Sequence, residues 1–233
     1  MAQLEQDLDQ APLVRALAGI EIDRATAIAP QLYQALRARI IDNRLPPGVN
    51  VNESDVSRLC DVSRTPLRAA MQQLAAEGLI VTRPQVGSVV APLDEDRMLE
   101  AVLIRSALEQ AVVRQLSAKG LDEGGLSENL AMQEQAASDD DYAAFFKFDE
   151  RFHRMLAGQA GLPRAWQLVQ TVKAHVDRQR LALMSSIPGR SMAAYRDHLR
   201  ILDLIRAGDG EGAAREMDRH VRTVLNGPDV KTD

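Results

Sequence analysis

Cysteine is nearly absent from this 233-residue chain, with Cys60 standing alone. A single thiol makes neither an internal disulfide nor a cysteine metal cluster, so disulfide-stapled folds are excluded and a reducing compartment, the cytoplasm, is expected. Aromatic residues make up only 3%, too few for an aromatic-rich β-sandwich or a lectin-like surface, and the fold is expected to be mostly helical. Long apolar runs are missing as well. No stretch approaches the roughly 20 residues a spanning helix needs, and residues 1–9 are acidic where a signal peptide would be basic, so no membrane partner is expected. What is present is ordinary globular composition, 45% hydrophobic and 26% charged, in a chain long enough for one large or two ordinary domains.

Excess positive charge is missing too. The net charge of −5 disfavours a nucleic-acid partner when it is averaged over the chain. Its distribution points the other way. Residues 1–29 hold two arginines against five acids, 30–92 hold seven arginines against five, and 93–233 hold nineteen basic residues against twenty-three. Only the middle segment is positive. Its basic residues are all arginine, the planar donor matched to phosphates and guanine edges.

Residues 1–29 are weakly periodic and read as a flexible arm or loosely attached helix, with no function assigned. From Pro30 the pattern turns helical, with Leu32, Leu36 and Ile40 on one stripe, and this helix is expected to end near Leu45-Pro46-Pro47-Gly48. Residues 49–51 are β-like. Asn52-Glu53-Ser54-Asp55 is a variant capping box opening a second helix over 53–60. Asp61-Val62-Ser63 breaks the pattern, Ser63 is placed to cap a third helix over 64–77, and Gly78 is its natural stop. Residues 79–82 and 88–90, joined by Arg83-Pro84-Gln85-Val86-Gly87, read as a hairpin. Helix, short helix, turn, helix, hairpin is the order of a winged helix-turn-helix, which lays its recognition helix in the DNA major groove. Residues 30–92 are therefore the candidate DNA-binding domain and 93–96 a linker. Helices expected over 97–119, 122–137, 140–158, 162–184, 190–207 and 210–225 make 97–227 an antiparallel all-α bundle, with 228–233 as a tail.

Arg64, Thr65 and Arg68 stand at a helix start, where backbone N–H groups favour phosphate and arginines can reach base edges. Read alone, this is an ordinary solvated helix end, and the order of elements around it favours the DNA reading. Pro47-Gly48, the Glu53 helix, Val62-Ser63-Arg64-Thr65-Pro66-Leu67-Arg68, Leu74, Glu77-Gly78-Leu79 and Gly87 resemble the DNA-binding domain of GntR-family transcriptional regulators of the FadR-like subfamily. The resemblance implies that Ser63, Arg64, Thr65 and Arg68 meet operator DNA and that Gly87, at the wing tip, approaches the minor groove. Ser54 departs from the pattern, standing where some members present an arginine to DNA.

All four histidines lie in the second domain. Asp149 and His153 are four apart and share a helix face with Phe145, Phe152 and Leu156. His198 falls with Tyr195, Ile201, Leu202 and Ile205, and His220 with Met217, Val221 and Val224. Three helices would thus aim ligands inward. Neutral imidazoles with one carboxylate suit a divalent transition metal and leave room for an exogenous ligand. The same spacing also fits a polar Asp149–His153 pair with two core histidines. Arg105 and Glu109 interrupt an apolar stripe of Met98, Val102, Val112 and Leu116, as an i,i+4 ion pair or as pocket groups. Phe148-Asp149-Glu150-Arg151-Phe152-His153, with His198 and His220 on the last two helices, resembles the FCD effector domain of the same subfamily. That resemblance implies a site for Zn²⁺, or for Ni²⁺ or Mn²⁺, on Asp149, His153, His198 and His220, and a carboxylate-holding role for Arg105. His175 and Arg178 are further expected pocket residues, with a core histidine and a surface arginine as the alternative. The phenylalanines and Trp166 read as bundle core.

The expected function is a ligand-responsive transcription factor, with repression relieved by ligand. It would bind a palindromic operator in double-stranded DNA as a homodimer, and a small carboxylate would bridge Arg105 and the metal. No catalytic residues are expected. Two alternatives stay open at this point. One is a metal-dependent hydrolase or lyase that activates water, although no general base stands at a motif position. The other is a regulator whose metal is purely structural.

Overall fold

Leu32, Leu36 and Ile40 recur at helical spacing, and in the computed structural model of the chain they form the buried face of α1 (Ile28–Ile41). The structure describes residues 12–83, 87–181 and 187–225. The chain divides after Asp94 into two units.

In the first unit α1 stops before the Pro46-Pro47 signal. Asn43 takes a left-handed conformation (φ 61°) just past the C-cap Asp42, so a local Asp-Asn turn ends the helix, not the prolines. Packed against α1 is α3 (Arg64–Ala76), which in turn holds α2 (Glu53–Leu59), and Val56, Leu67, Ala70, Met71 and Leu74 are buried among them. Asn52 caps α2 by accepting from the Ser54 N–H (2.9 Å) and hydroxyl (2.6 Å). Gly78 then reverses the chain at φ 70°, where a β-carbon is disfavoured, and the Leu79 N–H donates to the Leu74 carbonyl (2.9 Å). The hairpin is β1 (Ile80–Arg83) antiparallel to β2 (Gly87–Val90), with Ile80 opposite Val90 and Arg83 opposite Gly87. Residues 84–86 of the expected turn lie outside the described residues. The 49–51 stretch lies beside the hairpin, held by an isolated Asn50–Val89 bridge and a Val51 N–H bond to the Ser88 carbonyl (2.8 Å). This unit is a winged helix-turn-helix.

The segment expected as a flexible arm, 1–29, is described from residue 12. Residues 12–17 are helical, Leu13, Ala16 and Leu17 are buried, and Arg39 Nε donates to the Ala16 carbonyl (2.8 Å). Arg24 pairs with Asp61 in the turn between α2 and α3. From residue 12 onward the segment is packed on its own unit. The i, i+3, i+4 stripe that packs it is too short to stand out in so acidic a stretch.

The second unit is a helical bundle of α4 (Glu95–Lys119), α5 (Gly124–Ser138), α6 (Tyr142–Gln159), α7 (Pro163–Val172), α8 (Ala174–Gln179), α9 (Arg190–Arg206) and α10 (Gly210–Arg222), followed by a 3₁₀ turn at Thr223–Leu225. α4 begins inside the expected linker and is the axis against which α6, α7, α8, α9 and α10 pack. Gly210, Ala213 and Ala214 let α10 lie close to α4, since a Cβ on Gly210 would come within 3.4 Å of Arg114 Cα. The single helix expected over 162–184 is broken at Lys173. Its buried ammonium pairs with Glu150 and Asp177 and lies over the rings of Phe146 and Trp166. Residues 182–184 of that expected helix, residues 1–11 and the tail 228–233 lie outside the described residues. Among the described residues no helix is long and apolar enough to cross a membrane.

Candidate metal centre and DNA-reading helix

α6 carries Asp149 and His153 one turn apart on its buried face, and α9 and α10 bring His198 and His220 to them. One ligand atom from each residue lies within 4.8 Å of the others, and all four side chains are buried. Ligand atoms of a tetrahedral site with bonds of ~2.1 Å stand ~3.4 Å apart, so a small inward adjustment of these side chains closes the set on an ion.

Each imidazole has an acceptor at its Nδ1. His153 faces the Glu109 carboxylate, His198 faces Gln133 Oε1 (2.6 Å) and His220 faces Asp197 Oδ2 (3.3 Å). An acceptor there makes Nδ1 the protonated nitrogen and leaves a lone pair on Nε2. Gln133 is itself oriented, because its amide Nε2 donates to Asn129 Oδ1 (2.7 Å). His198 Nε2 and His220 Nε2 then confront each other at 3.2 Å, with Asp149 Oδ1 3.5 Å from His198 Nε2. That buried carboxylate oxygen has no hydrogen-bond partner among the described residues. Converging lone pairs with no proton between them repel, and a cation among them removes the repulsion. The donor set therefore fits a divalent metal.

Protonation states agree with this. Burial, together with the neighbouring imidazole His220, holds His198 well below the usual imidazole range, and burial lowers His220 as well. Burial would raise Asp149, but the Arg180 guanidinium at 2.9 Å from its Oδ2, with the imidazoles beside it, holds it well below the ordinary carboxylate value. Near neutral pH the site presents two neutral imidazoles and an ionised carboxylate, forms that need shed no proton to bind a metal.

Arg105 reaches the same cluster. Its Nη2 donates to His153 Nε2 (3.1 Å) and its Nε to Glu109 (2.6 Å), so the i,i+4 ion pair and the pocket-facing position expected as alternatives are both realised. Burial would raise Glu109, but Arg105 and His153 hold it at about 2. Beside the cluster is a cleft enclosing about 500 Å³ with its open mouth, lined by Arg105, Arg180, Arg190, Asp197 and His220 among others. His175 and Arg178, expected at this pocket, are buried on α8 and do not line it. Arg180 takes that place, because the break at Lys173 and a π-helical turn at 180–181 change which residue of the segment faces inward. Sequence reasoning also missed Gln133 and Asn129. They stand four apart on the face of α5 that buries Leu126, Leu130 and Ala137, the same signal that exposed Asp149 and His153. Phe152 stacks on His198 (centroids 4.1 Å) and Trp166 on His153 (6.0 Å), so residues read as plain core also hold the imidazole planes.

In the first unit Ser63, Arg64, Thr65 and Arg68 are exposed together at the N-terminus of α3. Ser63 holds the N-cap position without making the expected side-chain cap bond, so its hydroxyl is not committed to the helix. Arg68 pairs with Glu53 (3.0 Å) on the surface, and Gly87 is exposed at the start of β2. Ser54, where an arginine contact would be lost, is occupied with capping at Asn52.

Residues 28–90 match the family model for bacterial regulatory proteins of the gntR family, and residues 100–223 match that of the FCD domain. The chain belongs to the GntR family. With its FCD domain this GntR protein is a DNA-binding transcriptional regulator, not an enzyme. It is 32% identical over 207 residues to the HTH-type transcriptional repressor RspR of Escherichia coli K12, covering 88% of this chain and 90% of RspR. It is 31% identical over 205 residues to a relative from Paenarthrobacter nicotinovorans named as a D-xylose utilization operon repressor, covering 86% and 88% of the two chains. The crystal structure of a GntR transcriptional regulator from Rhodococcus sp. RHA1 shares the fold, with a TM-score of 0.71 at 22% identity over 86% of this chain and 98% of that one.

Proposed function

We propose that this GntR regulator is a repressor relieved by a small organic acid, which it senses at a divalent metal held by Asp149, His153, His198 and His220. Zn²⁺ is the metal favoured by a nitrogen-rich set, with Ni²⁺ or Mn²⁺ as substitutes. The observation that carries this reading is the convergence of unprotonated Nε2 atoms and an unpartnered carboxylate oxygen beside a cleft lined by guanidinium groups. The metal, when bound, supplies a positive centre for one carboxylate oxygen. Arg105 contributes donors to the same carboxylate, while Glu109, Gln133 and Asp197 hold the imidazoles in the binding tautomer.

Residues 30–92 form the DNA-binding module and 97–227 the sensing and dimerising module. One short recognition helix covers too few bases for useful affinity, so two copies read a two-fold operator. Ser63 and Thr65 hold phosphate, Arg64 and Arg68 reach base edges, and the Gly87 wing approaches the minor groove. The repressor names of two relatives support the sign. Thermodynamics then requires the acid to bind the DNA-incompetent arrangement more tightly than the competent one.

The test selects duplexes from a random pool with zinc-loaded protein and then titrates organic acids into the complex. An inverted repeat, released by an acid from wild type but not from His198→Ala, is the expected result. A regulator that no acid releases, with or without metal, overturns the sensing half of the reading.

A further inference from the structure

The cleft beside the metal cluster is also lined by the first turn of α9, through Arg190, Ser191, Ala193 and Ala194. Arg105 and Arg180, which line it too, are each matched by a carboxylate, Glu109 and Asp149. Arg190 is not. Its Nη2 donates to the Thr223 carbonyl (2.6 Å), and no carboxylate lies within ion-pair distance of it among the described residues. Asp197 lines the same cleft, but its Oδ1 is held by Arg200 and Arg219 and its Oδ2 faces His220. Ser191 is 1% exposed and its Oγ has no partner among the described residues. Gly189, in the N-cap position with φ 73°, has no side chain to satisfy the first N–H groups of the helix, of which that of Arg190 meets the Ile187 carbonyl at 3.4 Å.

A half-buried guanidinium with no carboxylate in ion-pair contact, a buried hydroxyl without a partner among the described residues and a helix start without a side-chain cap meet at one wall of one cleft. Each is costly alone, and each is relieved by an anion. We infer that the first turn of α9 is a second anion subsite, and that the effector is a small dicarboxylate. One carboxylate lies toward the metal cluster and Arg105, the other on Arg190, Ser191 Oγ and the N–H groups opening α9. This rests on the sensing role proposed above and narrows its ligand, because a monocarboxylate satisfies one wall and leaves Arg190 unmatched.

The test uses zinc-loaded full-length protein and acids paired by chain length, namely propionate with malonate, butyrate with succinate and valerate with glutarate, with affinities measured by calorimetry. At least one dicarboxylate is expected to bind about 10- to 100-fold more tightly than its monocarboxylate partner, the range of one charge-assisted hydrogen-bonded contact. Arg190→Gln brings the pair to within about threefold, the scale of a neutral contact. Arg190 also holds the Thr223 carbonyl, so Ser191→Ala is the second variant. It deletes a hydroxyl that bonds nothing among the described residues, so it should fold, and it lowers dicarboxylate binding while leaving monocarboxylates unchanged. Equal binding of both members in every pair, or an undiminished preference in both variants, overturns the inference. If monocarboxylates bind and need His198 while dicarboxylates gain nothing, the sensing role stands and the second subsite falls. If neither kind of acid binds, both fall.

Discussion

Arg180→Gln separates the electrostatics of the site from its metal. Asp149 is 1% exposed, and among the described residues Arg180 is the one arginine or lysine in ion-pair contact with it. In chelator-treated protein the variant leaves a buried carboxylate among neutral imidazoles, and breaking one side of a buried pair costs about 3–5 kcal/mol. One escape is the uptake of a proton on Asp149. For a carboxyl group of ordinary pKa near 3.9, that uptake caps the loss at about 4 kcal/mol at pH 7 and at about 1.5 kcal/mol at pH 5. The expected loss of about 3–4 kcal/mol at pH 7 corresponds to a Tm lower by roughly 6–16 °C for a unit of this size. Circular dichroism melts at the two pH values should therefore show a deficit that shrinks on acidification. Zinc supplies the missing positive charge, so its stabilisation should be larger in the variant than in wild type. Asp149→Asn combined with Arg180→Gln should recover most of the loss. A variant melting within about 2 °C of wild type at pH 7, less than 1 kcal/mol on the same scale, would refute the reasoning.

Burial lowers His198 and His220 in the folded state relative to the unfolded value near 6.5, so below that pH the unfolded chain binds more protons. The metal-free protein should keep the corresponding stability above about pH 6.5 and lose it on acidification, by up to about 2.7 kcal/mol per pH unit for two groups. Urea unfolding at pH 7.5 and 5.5 measures this, and equal stability at both would contradict it. Arg64→Ala and Arg68→Ala should each weaken operator binding about 10- to 100-fold while metal content is retained, as anisotropy and elemental analysis would report. Glu53→Gln releases Arg68 from a surface pair worth at most about 1 kcal/mol and should tighten DNA binding by no more than about fivefold. Normal binding by both arginine variants would dismiss the recognition-helix assignment. Protein purified without chelator or affinity metal should carry about one divalent ion per chain, and Asp149→Ala with His153→Ala should carry almost none. Unchanged metal in that double variant would remove the site.

The parts of this molecule legible in its sequence are those where the information is local. Leu32, Leu36 and Ile40 announce α1, and Asp149 with His153 announces an inward polar pair, because the 3.6-residue period places both on one face before any partner is known. The same period places Arg178 on a stripe with His175 when 162–184 is read as one unbroken helix. Arg180 faces Asp149 because the chain breaks at Lys173 and widens into a π turn, and the break depends on Glu150, Phe146 and Trp166 closing around a buried ammonium. Those residues lie up to 27 positions away, beyond the reach of periodicity. From residue 12 the acidic N-terminal segment is held in the same way by residues distant in sequence, Arg39 and Asp61.

The division runs through the metal centre itself. Asp149, His153, His198 and His220 are each visible as a polar interruption of an apolar face, so four ligand positions can be read one helix at a time. Their protonation cannot. Glu109 on α4 fixes His153 on α6, Gln133 on α5 fixes His198 on α9, and Asp197 on α9 fixes His220 on α10. In every case the residue that decides which nitrogen carries the proton comes from a different helix than the imidazole it controls. A bundle in which any of those helices slid along its axis by about 1.5 Å, the rise of one residue, without turning would keep the same histidines pointing inward and lose the tautomers that let them converge on a cation. The ligand positions are therefore a property of helices, and the chemistry of the site is a property of their register.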